Sequence, residues 1–194
     1  MTWQSVKLGD IAQLNPRFTG NAKPDDIVSF VPMSSVSELT KSILREEERT
    51  FSEVSKGYTP FHSGDIILAK ITPCFENGKL ALANTSHHYA FGSTEFHVMR
   101  TDAEKLYNGY LFNYLKQPWI ISEGSRKMTG SAGQRRVPRN FLESLEIPLP
   151  PLQEQKRIAA ILDKADDLRK LRRDALQKLD DLTQAVFLEM FGDP

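Results

Sequence analysis

Cysteine is almost absent: Cys74 is the only one among 194 residues. No internal disulfide can form, and a cysteine-based zinc cluster is excluded. Net charge is missing as well, because 25 lysines and arginines balance 25 aspartates and glutamates. A nucleic-acid-binding role therefore requires basic residues to be concentrated locally. No apolar run approaches the ~20 residues of a membrane-spanning helix. The start, Met1-Thr2-Trp3-Gln4-Ser5, lacks a basic segment followed by an apolar one. These features predict a soluble cytoplasmic protein without a membrane partner.

The motifs of common chemistries are missing too. There is no Gly-x-Gly-x-x-Gly, no phosphate loop ending in Gly-Lys-Ser/Thr and no Gly-x-Ser-x-Gly elbow. The histidines, His62, His87, His88 and His97, show no metal-ligand spacing, and His87-His88 reads as a solvated turn. A metal-dependent nuclease pairs an early Asp with an acid-x-Lys on a strand. Asp25 could be the first acid, but the strand offers Leu68-Ala69-Lys70, and Leu68 cannot hold a metal. No catalytic residue, metal or cofactor is expected.

What is present is a core and a rod. Forty per cent hydrophobic residues with 11 phenylalanines can fill a globular interior. Residues 1–150 read as mixed α and β, an α/β (α+β) globule. The segment 6–14 has apolar residues at 8, 11 and 14 and predicts a short amphipathic helix started at Asp10. Alternating or continuous apolar runs predict strands over 26–33, 64–72, 78–83 and 93–100. Glu76-Asn77-Gly78 supplies a tight turn between the second and third. A helix is predicted over 103–117, and Pro118 ends it or starts the next turn. Another spans 119–128, interrupted by Gly124, and 129–140 reads as a small-residue, basic loop.

Pro148, Pro150 and Pro151 then force an extended exit, and Pro151 can open a helix. Glu154 sits where the helix dipole favours a carboxylate. Residues 151–194 carry apolar side chains by sevens in two rows, Ile161, Leu168, Ala175, Leu182 and Ile158, Ala165, Leu179, Val186. Only Arg172 breaks the second. This is the pattern of a coiled-coil seam, with Ala165 and Ala175 allowing close approach of a partner helix. Asp166 with Lys170 and Asp174 with Lys178 are favourable i,i+4 pairs. Gly192 and Pro194 form a stop. A helix from Leu152 to Phe191 runs ~60 Å, and it either pairs with a second helix or folds back on its own domain.

Charge is concentrated in one place. Between Gly124 and Leu142 lie Arg126, Lys127, Arg135, Arg136 and Arg139 and no acid, interleaved with Thr129, Ser131 and Gln134. Arginine and lysine neutralise phosphates and reach guanine edges, and glutamine pairs with adenine. A solvated surface loop has the same composition. A second candidate is the loop side of the central strands, at Lys70, Thr72, Asn77 and Lys79.

The run IPLPPLQEQKRIAAIL, Ile147 to Leu162, resembles a junction in specificity subunits of type I restriction–modification systems. There Ile-Pro-Leu-Pro-Pro-Leu-x-Glu-Gln ends a target-recognition domain and opens a long helix. WQSVKLGDIAQLN, SGDIILAKITP, FGSTEFHVMR, TGSAGQRRVPRNFLESLEIPLP and FLEMFGDP resemble further segments of the family in the same order. The resemblance implies a non-catalytic subunit whose α/β domain reads half of a split double-stranded DNA target. It also implies a helix that packs antiparallel against another, sets the spacing and docks adenine-methylating modification subunits, through which restriction subunits join. An alternative within the family is an assembly scaffold with little DNA affinity until the methyltransferase subunit is bound. Family members commonly carry two domains and two helices. One copy here implies either a half-subunit that homodimerises through its helix or the N-terminal half of a longer chain.

Overall fold

The computed structural model describes residues 3–131 and 133–192. Pro194, expected in the helix stop, lies outside them, as do Met1 and Thr2. The chain divides into two compact units, Met1–Lys156 and Arg157–Pro194. The division falls inside a helix, just beyond the proline run.

Among the described residues, the first unit is built on ten short strands: β1 (Ser5–Lys7), β2 (Ala12–Leu14), β3 (Ile27–Val31), β4 (Glu47–Thr50), β5 (Thr59–His62), β6 (Ile66–Ala69), β7 (Leu80–Leu82), β8 (Tyr89–Gly92), β9 (Phe96–Thr101) and β10 (Glu146–Pro148). One sheet has the order β2-β9-β6-β7, antiparallel throughout. A second, β4-β3-β8-β5, is mixed, with β3 and β8 parallel. β1 and β10 form a separate antiparallel pair. Helices α1 (Leu8–Ile11), α2 (Phe51–Val54), α3 (Asn108–Leu115), α4 (Pro118–Lys127) and α5 (Arg139–Glu143) complete the unit, and α6 (Leu152–Phe191) begins in it.

The two large sheets contribute to one core. Val31 and Phe61 from the second sheet join Ile67, Ala81, Phe96 and Val98 from the first. Alternation along β3 and β8 sends Val28, Phe30 and Phe91 to the opposite face, where Phe18, Phe51, Val54 and Tyr89 cover them. All four residues of β6 are buried, which explains its unbroken apolar run: a strand covered on both faces does not alternate. Asp65, just before it, is also buried and takes two bonds from the Arg100 guanidinium, at 2.9 and 2.6 Å, so its charge is compensated.

Several sequence expectations change. The helix expected over 6–14 is one turn, because residues 12–14 pair with residues 99–101 of β9. It starts after Lys7 rather than at Asp10. Helix α3 begins at Asn108, five residues later than periodicity placed it. Pro118 occupies the first turn of α4. Gly124 does not interrupt that helix but makes room for Phe75, whose ring leaves no space for a Cβ there. The turn between β6 and β7 is a longer loop over 70–79, with a cis peptide at Thr72-Pro73. β4, β5 and β8 carried no recognised signal. α2 starts on a capping box of Thr50 and Glu53.

The proline run has a specific anchorage. Prolines cannot donate, but their carbonyls must still be satisfied when buried. Tyr110 donates its hydroxyl to Pro148 O at 2.8 Å, and Tyr114 donates to Glu146 O at 2.8 Å. The carbonyl of Pro150 accepts from the Gln155 side chain at 2.8 Å. Gln155 is fully buried in the first turns of α6, where its amide also donates to Lys105 O at 2.9 Å and its oxygen accepts Tyr107 N–H at 2.8 Å. Pro151 is the residue before the helix rather than within it, its carbonyl accepting from the amides of Glu154 and Gln155. Gly192 ends α6 at φ +77°.

Gln155→Ala strips three partners of their bonds, and unsatisfied buried groups cost ~1–3 kcal/mol each before water reaches them. Urea unfolding should show a loss of about 2–4 kcal/mol for the first unit. Gln155→Glu, which sets a carboxylate against two carbonyl oxygens, should lose at least as much. A loss under about 0.5 kcal/mol for both would contradict this anchorage.

Candidate nucleic-acid interface

The two candidate surfaces, residues 70–79 and 126–136, are far apart along the chain and become one in space. Val137 N–H donates to Lys70 O at 2.8 Å and Thr72 N–H to Arg135 O at 3.0 Å. Isolated bridges join Ile71 to Arg136 and Thr129 to Arg136. The basic segment is thereby stitched to the strand end that carries Lys70 and Thr72. The Thr72 hydroxyl adds a bond to Arg135 O at 3.3 Å. Gly130 stands at φ +127°, and a Cβ there would lie 2.6 Å from Gln134 O, so the loop can close only on glycine.

Two further ties hold the base of this loop. His97 in β9 is buried, with Nε2 2.8 Å from Val137 O. Since the carbonyl can only accept, Nε2 carries a proton there. Asn15, at 3.2 Å, faces the Nδ1 side. Burial holds the His97 pKa below the ordinary histidine value, so the neutral ring is favoured. Arg136 makes a fork with Glu95, at 2.9 Å from Nε and 2.7 Å from Nη2, and also donates to Gln134 O at 3.2 Å. The bond from Arg136 lowers the Glu95 pKa.

The cations therefore differ in freedom. Arg136 is committed to a bidentate pair and acts as a strut of the loop. Arg135 meets Glu76 only at 3.3 Å, with half its side chain exposed, and Arg126 meets Glu123 at 2.6 Å while 71% exposed. Exposed pairs of this kind contribute ~0–1 kcal/mol, little enough for a phosphate to displace them. Lys127 is exposed at the end of α4, and Ser131 and Gln134 are exposed on the loop. Lys70 is half-buried. Lys79 donates to Met33 O at 3.3 Å, and Asn77 to Glu38 at 3.1 Å. Among the described residues no group of three or more metal-ligating side chains is present, and His87 meets Glu48 at 3.1 Å.

Sequence reasoning missed Glu38, Glu76 and Glu95, whose carboxylates share this surface, and the segment 33–44 that carries Glu38. It also missed His97 and Asn15 as loop supports. Their partners lie tens of residues away, so no local pattern announces them.

The second surface is α6. The anticipated seam residues Ile161, Leu168, Leu179, Leu182 and Val186 are exposed, at 44–59%; Ile158 is half-buried, and Ala165 and Ala175 also lie on the helix. The apolar face is broader than a two-row seam. Leu162, Leu171 and Leu176 flank it and are exposed as well. At 100° per residue the apolar arc spans about half the circumference, more than the stripe of a two-helix seam. No helix is long and apolar enough to cross a membrane, among the described residues.

Comparison with known proteins gives concordant results. The family model for the type I restriction modification DNA specificity domain matches residues 1–180. The EcoEI specificity subunit of Escherichia coli is 41% identical over 95% of this chain and 31% of its own length. The EcoAI specificity subunit, also from Escherichia coli, is 43% identical over 80% of this chain and 26% of its own. The crystal structure of the HsdS subunit from Thermoanaerobacter tengcongensis superposes with a TM-score of 0.68 at 24% identity, covering 100% of this chain and 50% of that one. A structure from a study of complex assembly in the type I R-M system superposes at 0.73, also at 24% identity, with 100% and 50% coverage. The chain thus spans about a third or less of these curated relatives and half of these solved chains.

Proposed function

The chain belongs to the type I restriction–modification DNA specificity family, and we propose that it reads one half of a bipartite duplex DNA target as the non-catalytic component of such a system, in the cytoplasm. The observation that carries this reading is the union of loops 70–79 and 126–136 into one surface by the Lys70–Val137 and Thr72–Arg135 bonds. Arg126, Lys127 and Arg135 serve as phosphate ligands, for which weak or absent carboxylate pairing suits them. Lys70, Thr72, Asn77, Lys79, Ser131 and Gln134 form the part that meets base edges, and Arg136 holds the loop's shape.

Helix α6 is the spacer and the docking surface. Ile158, Ile161, Ala165, Leu168, Ala175, Leu179, Leu182 and Val186 pair with an antiparallel helix. The flanking Leu162, Leu171 and Leu176 leave apolar surface for modification subunits, which bring in the restriction subunits. Where two copies of this chain pair, two identical domains meet a split palindrome with half-sites roughly 34 Å apart. A second reading, a scaffold with little DNA affinity until the methyltransferase subunit binds, is favoured by the carboxylates of Glu38, Glu76 and Glu95, which weaken the positive field of the isolated domain.

Binding of the chain to duplex DNA should weaken on Arg135→Ala and Lys127→Ala, evenly across sequences. The slope of log affinity against log salt should fall by about 0.9 per phosphate contact removed. Unchanged binding after removal of Arg126, Lys127 and Arg135 together would reject this surface. Binding detectable only with the methyltransferase subunit present would select the second reading.

In sedimentation the chain should run as a dimer, and Leu168→Asp with Leu179→Asp should give monomers. A monomeric unsubstituted chain contradicts pairing between copies.

A further inference from the structure

Segment 37–42 is built more tightly than an idle surface loop needs. Ser37 N–H donates to Ser42 O at 2.9 Å. The Ser37 hydroxyl oxygen accepts from the amides of Leu39 and Thr40, at 3.2 and 3.0 Å, the bonding of a serine-stabilised turn. The hydroxyls of Thr40 and Ser42 lie 2.7 Å apart. Lys41 adopts φ +53°, a conformation few non-glycine residues take. That twist lets its ammonium donate to Asn77 O at 3.2 Å and to Gly78 O. From the same segment Glu38 accepts from the Asn77 side chain. Gly78 stands at φ +68°, a conformation that favours glycine, and a Cβ there would lie 2.6 Å from the Lys41 ammonium and push it off its carbonyl partners.

The clamp has two consequences. It fixes the 75–79 turn that carries Asn77 and Lys79, and it presents Leu39, 69% exposed, beside that turn. Leu39 at the tip and Leu44, 66% exposed beside Ser35 at the segment's base, are together too little apolar surface for a protein interface, whose core needs several such anchors. It is suited to one apolar contact in a DNA groove, such as the methyl group of thymine. Carboxylates close by, Glu38 and Glu76, do not attract phosphates but can accept from the amino group of cytosine.

We propose that segment 37–42 is a third arm of the DNA-reading surface, in which Leu39 contacts a base and Lys41 is a positioning residue for the turn bearing Asn77. This rests on the DNA-reading function proposed above. It gives Lys41 an indirect role, because its ammonium is already bound to two carbonyls.

The test is selection from a randomised duplex library by the chain assembled with its modification subunit. Leu39→Ala should lower the preference for an A·T pair at one position by about fourfold, the factor expected from one buried methyl group. Lys41→Met and Asn77→Ala should relax preference at one common, neighbouring position, and Lys41→Arg should restore it. A purely structural role for Lys41 would instead lower affinity evenly and leave the enriched sequences unchanged, which overturns the positioning claim. Unaltered selection by Leu39→Ala overturns the contact, and loss of the modification subunit without a change in preference assigns the tip to protein docking. Should the unsubstituted assembly enrich no sequence, the DNA-reading function fails and this inference with it.

Discussion

The pairing of residues 70–72 with 135–137 is the constraint on which the candidate interface depends. These segments are far apart in sequence, yet loop closure costs only logarithmically more with length, so a few good bonds suffice to hold them. The backbone supplies two, and Glu95, His97 and Thr72 add side-chain bonds to Arg136, Val137 and Arg135. All three of these residues lie on or beside the strand ends of the first sheet. The loop therefore inherits the rigidity of a packed core, although its own residues are small, polar and exposed. Without that pairing the basic residues would belong to a mobile segment, and ordering them on DNA would consume part of the binding energy.

The charge pattern divides labour between neighbouring arginines. Sequence alone makes Arg135 and Arg136 equivalent. In the fold one is a strut, forked onto Glu95, and the other meets its carboxylate loosely and in solvent. An interface with interspersed acids is less attractive to phosphate in general, and better able to reject wrong bases, than a uniformly basic one.

The sequence made the ends of the architecture legible more readily than its middle. The long helix was evident because heptad spacing, a proline entry and a glycine exit agree over forty residues. The buried strand β6 was evident from its apolar run. By contrast β4, Glu47–Thr50, is polar and half-exposed on an edge, and β5 contains a proline, so neither alternates clearly. Gly124 looked like a breaker because its reason for being small, the Phe75 ring, lies 49 positions away. The basic loop could be named from composition, but its support by His97 could not, nor could the clamp of Lys41 on the 75–79 turn, since both depend on long-range contacts. Likewise Gln155 was visible as part of a motif, while its reason, three bonds to backbone that proline and a chain turn leave unpaired, required the fold. Leu162, Leu171 and Leu176 were overlooked because a two-row template was imposed on a broader face.

We propose that loops 70–79 and 126–137 together form the DNA-contacting surface. Amide hydrogen exchange of the chain with and without duplex DNA at low salt tests it most directly. Exchange should slow in both loops at once, with residues 47–58 on the edge of the second sheet unchanged. Protection confined to 47–58 or to the helix, with both loops exchanging as in the free protein, would contradict it.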